Sequence, residues 1–167
     1  MRPVSTCLLA LLLATVPLAA GARPTAPAAA PQAAEYVDAS SYLTGDADID
    51  AWYNAVYRLR QNFDDVCGDT FCEGDYSNIQ SLSYRCSVEK HTGVIGRCVW
   101  IFAGSTEDID PADGRVLVDA RHWRCRTPLA RHTRIQDLLI ALDGPQPLQA
   151  PLPGTSQSIY DGLADCL

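Results

Sequence analysis

Cysteines are the residues of this chain whose chemistry is most constrained, and six of its seven lie downstream of residue 66. Thiols in such numbers form disulfides in an oxidising environment, hold zinc, or work as a redox pair. Zinc sites and thioredoxin-type pairs favour cysteines separated by two residues, whereas Cys67 and Cys72 are separated by four. The sequence therefore predicts structural disulfides, with no metal and no cofactor. The six cysteines are Cys67, Cys72, Cys86, Cys98, Cys125 and Cys166.

Cys86 and Cys98 flank a predicted hairpin turn, and the register of that turn decides whether they can pair. If the turn centres on Thr92, the two cysteines lie opposite each other on neighbouring strands and a cross-strand disulfide is possible. A four-residue turn over residues 90–93 places Cys86 opposite Arg97 instead and turns Cys98 to the other face of the sheet. Both registers give sensible apolar pairs, so this disulfide stays open.

The remaining cysteines also have more than one candidate partner. Cys125 is a rival partner for Cys98, because the second hairpin places it two positions from the residue directly opposite Cys98. Cys166, near the C-terminus, is expected to bond to Cys67 or Cys72. Closing that loop of about 100 residues would stabilise the fold by roughly 4 kcal/mol, if the gain is the lost entropy of the unfolded chain.

Residues 68–78 concentrate carboxylates, hydroxyl groups, two glycines and two aromatic rings between a predicted helix and a predicted strand. Loops on a rigid scaffold carry a large share of binding residues. The candidate binding residues here are Asp69, Glu73, Asp75 and Tyr76, and the three carboxylates could gather round a cation or an arginine. The alternative is an irregular crossover whose polar side chains satisfy its own backbone.

Charge is unevenly spread along the chain. Residues 35–75 hold ten acidic and two basic side chains, whereas residues 115–134 hold six arginines against the single Asp119. Two surface patches of opposite sign, or one internal network of ion pairs, would account for this distribution.

Four residues of the arginine-rich segment are further candidate binding residues. Alternate side chains of a strand point to opposite faces, so His122 and Arg124 would share one face and Arg121 and Trp123 the other. Arginine beside tryptophan is frequent in protein interfaces and in carboxylate or phosphate pockets. The alternative is an ordinary solvated face.

No catalytic motif anchors an enzymatic interpretation, and the three histidines, His91, His122 and His132, are scattered. The sequence therefore favours a non-catalytic module that binds another protein, such as an inhibitor or immunity-type protein of the cell envelope. One alternative is a small secreted hydrolase or carbohydrate-modifying enzyme that uses a carboxylate of the 69–75 loop with a histidine. Another is a structural envelope component, which predicts a large apolar patch.

Residues 1–22 are typical of a cleavable export signal, with Arg2 as the positive start, an apolar run over residues 8–20 and small residues after it. The run is shorter than the roughly 20 residues needed to cross a bilayer. Residues 23–35 are rich in proline and alanine and predict a linker. Together with the cysteines, this leader predicts a periplasmic or extracellular protein.

The chain is acidic, with 13 basic and 20 acidic residues and a net charge of −7. This charge argues against nucleic acid or an anionic membrane as the main partner. No stretch after the leader is long and apolar enough for membrane insertion. A single lysine among the basic residues, with many alanines, arginines and prolines, is typical of a GC-rich bacterial genome.

The clearest helix covers residues 49–66, where apolar residues recur every three or four positions. Three aspartates within residues 46–50 fit N-terminal capping and the positive end of the helix dipole. A calcium loop starts with the same D-x-D-x-D pattern, but its required glycine and glutamate are Ala51 and Tyr57 here. The apolar face consists of Ile49, Trp52, Tyr53, Val56, Leu59, Phe63 and Val66.

Three strands follow the helix. Residues 82–88 alternate between apolar and polar, which predicts one buried face, and residues 95–103 are almost wholly apolar, which predicts a central strand. A turn that pairs Asp110 with Arg115 leads into a third strand over residues 115–126. The inward residues of the first strand are Leu82, Tyr84, Cys86 and Val88.

These elements predict a single disulfide-bonded α+β domain over residues 36–167. Its antiparallel meander, three-stranded or four-stranded, is expected to pack against the N-terminal amphipathic helix, because each has one apolar face to bury. Two short C-terminal helices, around residues 135–142 and 159–166, complete the prediction.

Overall fold

The computed structural model describes residues 33–167. Its strands lie where apolar residues alternate with polar ones or form a continuous run, and its longest helix lies where apolar residues recur every three or four positions. Within these residues, four strands form one antiparallel sheet in the order β1-β2-β3-β4, with β1 and β4 at its edges. The predicted α+β class with an antiparallel sheet is confirmed. The strands are β1 (Tyr36–Asp38), β2 (Gln80–Glu89), β3 (Ile95–Ile109) and β4 (Val116–Arg126). The helices in this part of the chain are α1 (Ala39–Tyr42), α2 (Asp46–Cys67), α3 (Ile135–Ala141) and α4 (Ile159–Ala164).

Two of the predicted segments fall before this domain. The export signal over residues 1–22 and the linker up to residue 32 lie outside the described residues. Within residues 33–167, no helix combines the length and the apolarity that a bilayer crossing requires.

Helix α2 begins at Asp46, and its N-cap residue is Gly45, which makes no side-chain capping hydrogen bond. Asp46 and Asp48 stand in the first turn. They therefore complement the positive end of the helix dipole but do not cap the helix, contrary to the expected capping role.

The helices cover one face of the sheet, here called the inner face. The ring of Phe63 on α2 lies 4.7 Å from that of Phe102 and 5.8 Å from that of Trp100, between centroids. Tyr53, expected on the buried side of α2, is 60% exposed, whereas its neighbour Trp52 is buried. Successive residues of a helix differ by about 100° in direction, so only one of the two can face the sheet. The buried inner-face residues of β2 to β4 include Tyr84, Cys86, Val88, Cys98, Trp100, Phe102, Trp123 and Cys125.

The first hairpin combines both of the registers that its sequence allows. Its turn is the four-residue one, and the amide of Glu89 donates a hydrogen bond of 2.8 Å to the carbonyl of Val94. Cys86 nevertheless lies opposite Cys98 and forms a disulfide with it. A β-bulge allows both, because Val88 pairs with Ile95 and Ser87 pairs with Arg97, which leaves Gly96 as an extra residue of β3.

Glycine at this bulge has a packing reason. A Cβ atom on Gly96 would lie 2.7 Å from a ring carbon of Tyr36 on β1 and 2.9 Å from the hydroxyl oxygen of Ser87 on β2. Both distances are shorter than a side-chain carbon tolerates. The missing side chain therefore lets β1 pack across the start of β3.

Leu82 is the one predicted inward residue of β2 that points outward, and it is 60% exposed. A second bulge between Ser81 and Ser83 shifts the register and turns Ser81 inward instead. The hydroxyl oxygen of Ser81 accepts a hydrogen bond of 2.8 Å from the indole nitrogen of Trp100. The bulge thus supplies a partner for a buried donor that would otherwise be unsatisfied.

All six predicted cysteines form disulfides, but the expected bond of Cys166 is wrong. Cys67 bonds to Cys72, because the chain turns back at the end of α2 and the two residues share a backbone hydrogen bond of 2.6 Å. Cys166 bonds to Cys125 instead. This pairing follows from the position of α4, where a Cβ on Gly162 would lie 2.8 Å from the carbonyl oxygen of Arg126, at the end of β4.

The three disulfides of the described residues indicate an oxidising, extracytoplasmic environment. Each closes a different part of the domain. One lies at the C-terminal end of α2, one crosses β2 and β3, and one joins β4 to the C-terminus.

Candidate functional site

The sheet face opposite the helices, here called the outer face, is open. Strand alternation assigns to it the residues between the buried ones, and within residues 33–167 none of these side chains is buried. Among the described residues, this face is therefore available for contact. Its central residues are Arg85 and Ser87 on β2, Arg97, Val99, Ile101 and Ala103 on β3, and His122, Arg124 and Arg126 on β4.

The register of β3 and β4 places aliphatic and cationic side chains in adjacent rows. Val99 lies opposite Arg126, and Ile101 lies opposite Arg124. On the other side of β3, Val99 lies opposite Arg85. A half-buried aliphatic strip thus runs between two rows that carry guanidinium groups.

Most of the arginines of the outer face have no carboxylate partner among residues 33–167. Arg85 is the exception, because its Nε donates a hydrogen bond of 2.7 Å to Asp38. Among residues 33–167, Arg97, Arg124 and Arg126 take part in no ion pair. The outer face is therefore a local concentration of positive charge on a chain of net charge −7.

Burial alone would raise the pKa of Asp38. Hydrogen bonds from Ser40 and from the Arg85 guanidinium outweigh this effect and hold the pKa below its ordinary value. The carboxylate is therefore charged at neutral pH, and it links the N-terminus of α1 to β2.

Beyond Ala103, β3 and β4 continue as a two-stranded extension without β2, here called the hairpin arm (residues 104–121). Ile109, Val116 and Val118 on its outer side are 58%, 62% and 62% exposed. Such neighbouring exposed aliphatic residues are typical of contact surfaces. In the described part of the chain, no strand pairs with the second edge of β4.

The structure brings together three candidate residues that the sequence placed in two separate segments. The ring of Tyr76, from the loop, meets the ring of Trp123 edge-on at 5.3 Å between centroids. The guanidinium of Arg121 lies 5.3 Å from the Trp123 ring and 5.9 Å from the Tyr76 ring. This arrangement matches a cation–π contact on the inner side of the arm.

Tyr76 also anchors the loop to β4. Its hydroxyl donates a hydrogen bond of 2.6 Å to Asp119, and this bond raises the pKa of Tyr76 above its ordinary value. The single acidic residue of the arginine-rich segment therefore has a structural partner. Tyr76, Asp119, Arg121 and Trp123 form a cluster that holds the loop against the arm.

The other loop candidates are not assembled into a site. Asp69, Glu73 and Asp75 are exposed, and none of them forms an ion pair among residues 33–167. No group of three or more potential metal ligands occurs in this part of the chain. Phe71 packs inward, with its ring 5.9 Å from that of Phe63.

The two remaining strand candidates, His122 and Arg124, lie on the outer face, as the strand alternation predicts. None of the ion pairs of the described residues involves a histidine. His91 lies in the turn between β2 and β3, and His132 follows β4. No histidine is therefore paired with a carboxylate of the 69–75 loop in this structure.

Sequence reasoning missed a cleft where β3 begins and β4 ends, with a volume of about 520 Å³. Arg97, Arg126, Arg131 and His132 line it, together with Tyr36 of β1. The sequence feature that could have indicated the cleft is Arg97, which is the one charged residue of the predicted strand over residues 95–103. Its neighbours in the cleft come from distant parts of the sequence, so the spacing of residues did not reveal them.

Comparisons of the chain with protein-family models, with curated proteins and with solved structures found no match. Aliphatic side chains beside arginines that form no ion pair within residues 33–167 suit the non-covalent binding of a surface that is apolar at its centre and acidic around it.

Proposed function

We propose that this protein is an exported, non-catalytic module that binds another protein through the outer face of its sheet. An inhibitor or immunity-type protein of the cell envelope is the role that fits best. The observation that supports the proposal most is the aliphatic strip around Ile101, which lies beside arginines that have no carboxylate partner within residues 33–167.

Charge complementarity suggests the chemistry of the partner. Removing Arg124 or Arg126 from water without a counter-charge would cost free energy, so a stable complex requires the partner to supply carboxylates. Val99, Ile101 and Ala103 offer the apolar contact that such a rim of charges would surround. The partner is therefore proposed to be an acidic protein surface with an aliphatic or aromatic centre.

The hairpin arm extends this surface. Ile109, Val116 and Val118 form a second aliphatic group beyond the end of β2, which Ser105 and Glu107 separate from Ala103 along β3. The open edge of β4 offers backbone donors and acceptors to an extended segment of the partner. Both features favour contact with a protein over contact with a small molecule along the arm.

Export through a signal over residues 1–22, to the periplasm or beyond, is part of the proposal, and the disulfides support it. The enzymatic alternative has less support, because the carboxylates of the 69–75 loop pair with no histidine among the described residues. The aliphatic arm would also suit a structural envelope component. The arginines that form no ion pair within residues 33–167 favour an acidic protein partner instead.

Affinity capture tests the proposal with the exported, disulfide-intact protein as bait in extracytoplasmic extract of its source. Arg124→Glu reverses one charge of the outer face. Arg60→Glu makes the same change on α2, where Arg60 is exposed and forms no ion pair within residues 33–167. One partner should copurify stoichiometrically with the wild type and Arg60→Glu but not with Arg124→Glu. Equal capture by both variants, or no stoichiometric partner, would contradict the proposal.

A further inference from the structure

The cleft at the junction of β3 and β4 concentrates cationic groups without a carboxylate. Arg97 comes from β3, Arg126 ends β4, and Arg131 and His132 follow in the next segment. No aspartate or glutamate lines the cleft, and none of these arginines forms an ion pair within residues 33–167. We infer that this cleft is a binding site for a small molecule that carries two or more oxyanion groups, carboxylates or phosphates.

The wall that carries Arg131 and His132 is held in place by backbone hydrogen bonds. The amide of Ile95 donates to the carbonyl of Thr133 at 2.8 Å, and the amide of Ile135 donates to the carbonyl of Gly93 at 3.0 Å. A ligand would therefore meet a wall whose backbone is already ordered. Binding then costs less entropy than it would if the segment had to be ordered first.

His132 adopts the left-handed backbone conformation, which is uncommon for residues other than glycine, with a φ of 64°. The other residues with positive φ in the described chain are all glycines: Gly74, Gly93, Gly114 and Gly154. A histidine in this conformation is less stable than a glycine would be, and such strain concentrates at functional sites. Its presence in a cleft of arginines therefore points to a role for the imidazole in ligand contact.

The opposite wall owes its shape to the bulge at Gly96. Because Gly96 has no side chain, the ring of Tyr36 packs across it and borders the cleft. The volume of about 520 Å³ lies within the range of small-molecule sites. Guanidinium groups bind carboxylates and phosphates through paired hydrogen bonds, so three of them match a ligand with more than one oxyanion.

Calorimetry and amide-resolved NMR test the inference on the mature, disulfide-intact protein. The probes are inorganic pyrophosphate, citrate and a hexaglutamate peptide, which separate phosphate, small carboxylate and protein-borne carboxylate. We expect saturable binding of pyrophosphate or citrate, with chemical shift changes confined to the amides of Tyr36 and of residues 94–98 and 126–132. Arg97→Gln and Arg131→Gln should each weaken this binding at least about tenfold. Arg60→Gln should leave it unchanged.

His132→Gly separates ligand contact from structural support. Glycine tolerates the positive φ, so the urea midpoint of unfolding should not fall, while the affinity for the anion should decrease. The inference is overturned if neither small anion binds saturably, if Arg60→Gln weakens binding as much as the cleft variants do, or if only hexaglutamate binds. The capture experiment compares Arg124 with Arg60, and neither of them lines the cleft, so a failure of anion binding here leaves the predicted capture result unchanged.

Discussion

The hydroxyl of Tyr76 donates a hydrogen bond of 2.6 Å to the carboxylate of Asp119, and this contact joins the loop after α2 to the hairpin arm. The arm carries part of the proposed contact surface on its other side. The loop is closed at its start by the disulfide Cys67–Cys72. Tyr76 therefore connects a covalently constrained loop to a segment that extends beyond β2.

Tyr76→Phe should lower the urea midpoint at neutral pH, because it removes the hydrogen bond and keeps the ring on Trp123. The hydrogen bond raises the pKa of Tyr76, so its stabilisation is present below the ordinary tyrosine pKa of 10.0 and is lost as the pH rises through the folded value. The difference between variant and wild type should therefore shrink in alkaline solution. Tyr53→Phe, at a tyrosine 60% exposed, is the control and should change little. A difference that does not depend on pH would contradict this account.

Gly96→Ala should destabilise the domain by about 1–3 kcal/mol, because the added carbon would lie 2.7 Å from the Tyr36 ring. Gly144→Ala is the matched control, since nothing lies within 4 Å of its Cβ position, and it should stay within about 0.5 kcal/mol. Urea unfolding measures both. Adding Tyr36→Ala should remove most of the cost of Gly96→Ala, and strictly additive effects would show that the ring is not the obstacle.

The disulfides should differ in how much they stabilise the fold. Replacing Cys125 and Cys166 by serine opens a sequence separation of 41 and should cost about 4 kcal/mol. Replacing Cys67 and Cys72 opens a separation of 5 and should cost about 2 kcal/mol. Unfolding under non-reducing conditions measures the two losses. Peptide mapping of the wild type should recover Cys166 linked to Cys125, and recovery of Cys166 linked to Cys67 or Cys72 would refute the fold at the C-terminus.

Asp38 should make the domain sensitive to acid. Its pKa is depressed by hydrogen bonds from Ser40 and Arg85, which outweigh the opposing effect of burial. The stabilisation is therefore present above the ordinary value of 3.8 and is lost as the pH falls through the lower folded value. Asp38→Asn should lower the urea midpoint at pH 7 and have a smaller effect near pH 3, whereas Asp64→Asn, at an exposed residue of α2, should have little effect at either pH. Equal losses for Asp38→Asn at both pH values would argue against the ion pair.

Sequence periodicity predicted the faces of the strands well, because strand alternation is a local property. His122 and Arg124 lie on one face of β4, and Trp123 is buried on the other. The pairing of the second hairpin also follows from its turn: the amide of Asp110 donates to the carbonyl of Arg115 at 2.9 Å, and Val99 lies opposite Arg126.

The parts that sequence could not predict depend on contacts between distant residues. Leu82 points outward because the bulge turns Ser81 inward, where its hydroxyl accepts a hydrogen bond from the buried indole of Trp100. Cys86 and Cys98 pair despite a four-residue turn because of the bulge at Gly96. Gly96 is a local signal for its bulge, because an isolated glycine inside a strand often marks one, whereas the bulge at Leu82 has no such signal in β2.

The candidate binding residues also differ in how far local sequence could identify them. Loop composition identified Tyr76, but it gave equal weight to Asp69 and Glu73, which the fold leaves exposed and unpaired among the described residues. The cleft joins Arg97 to Arg131, which lie on separate elements. Only the tertiary arrangement brings these two arginines to one cavity.

Site-specific photo-crosslinking in the extracytoplasmic compartment tests most directly whether the outer face binds a protein. A benzophenone amino acid at position 118 replaces an outer-face residue, Val118, that is 62% exposed, and the same label at position 57 replaces Tyr57 on α2, which is 61% exposed. We predict one discrete protein adduct from position 118 and none from position 57. Adducts from position 57 alone, or equal labelling from both positions, would contradict the assignment of the outer face as the contact surface.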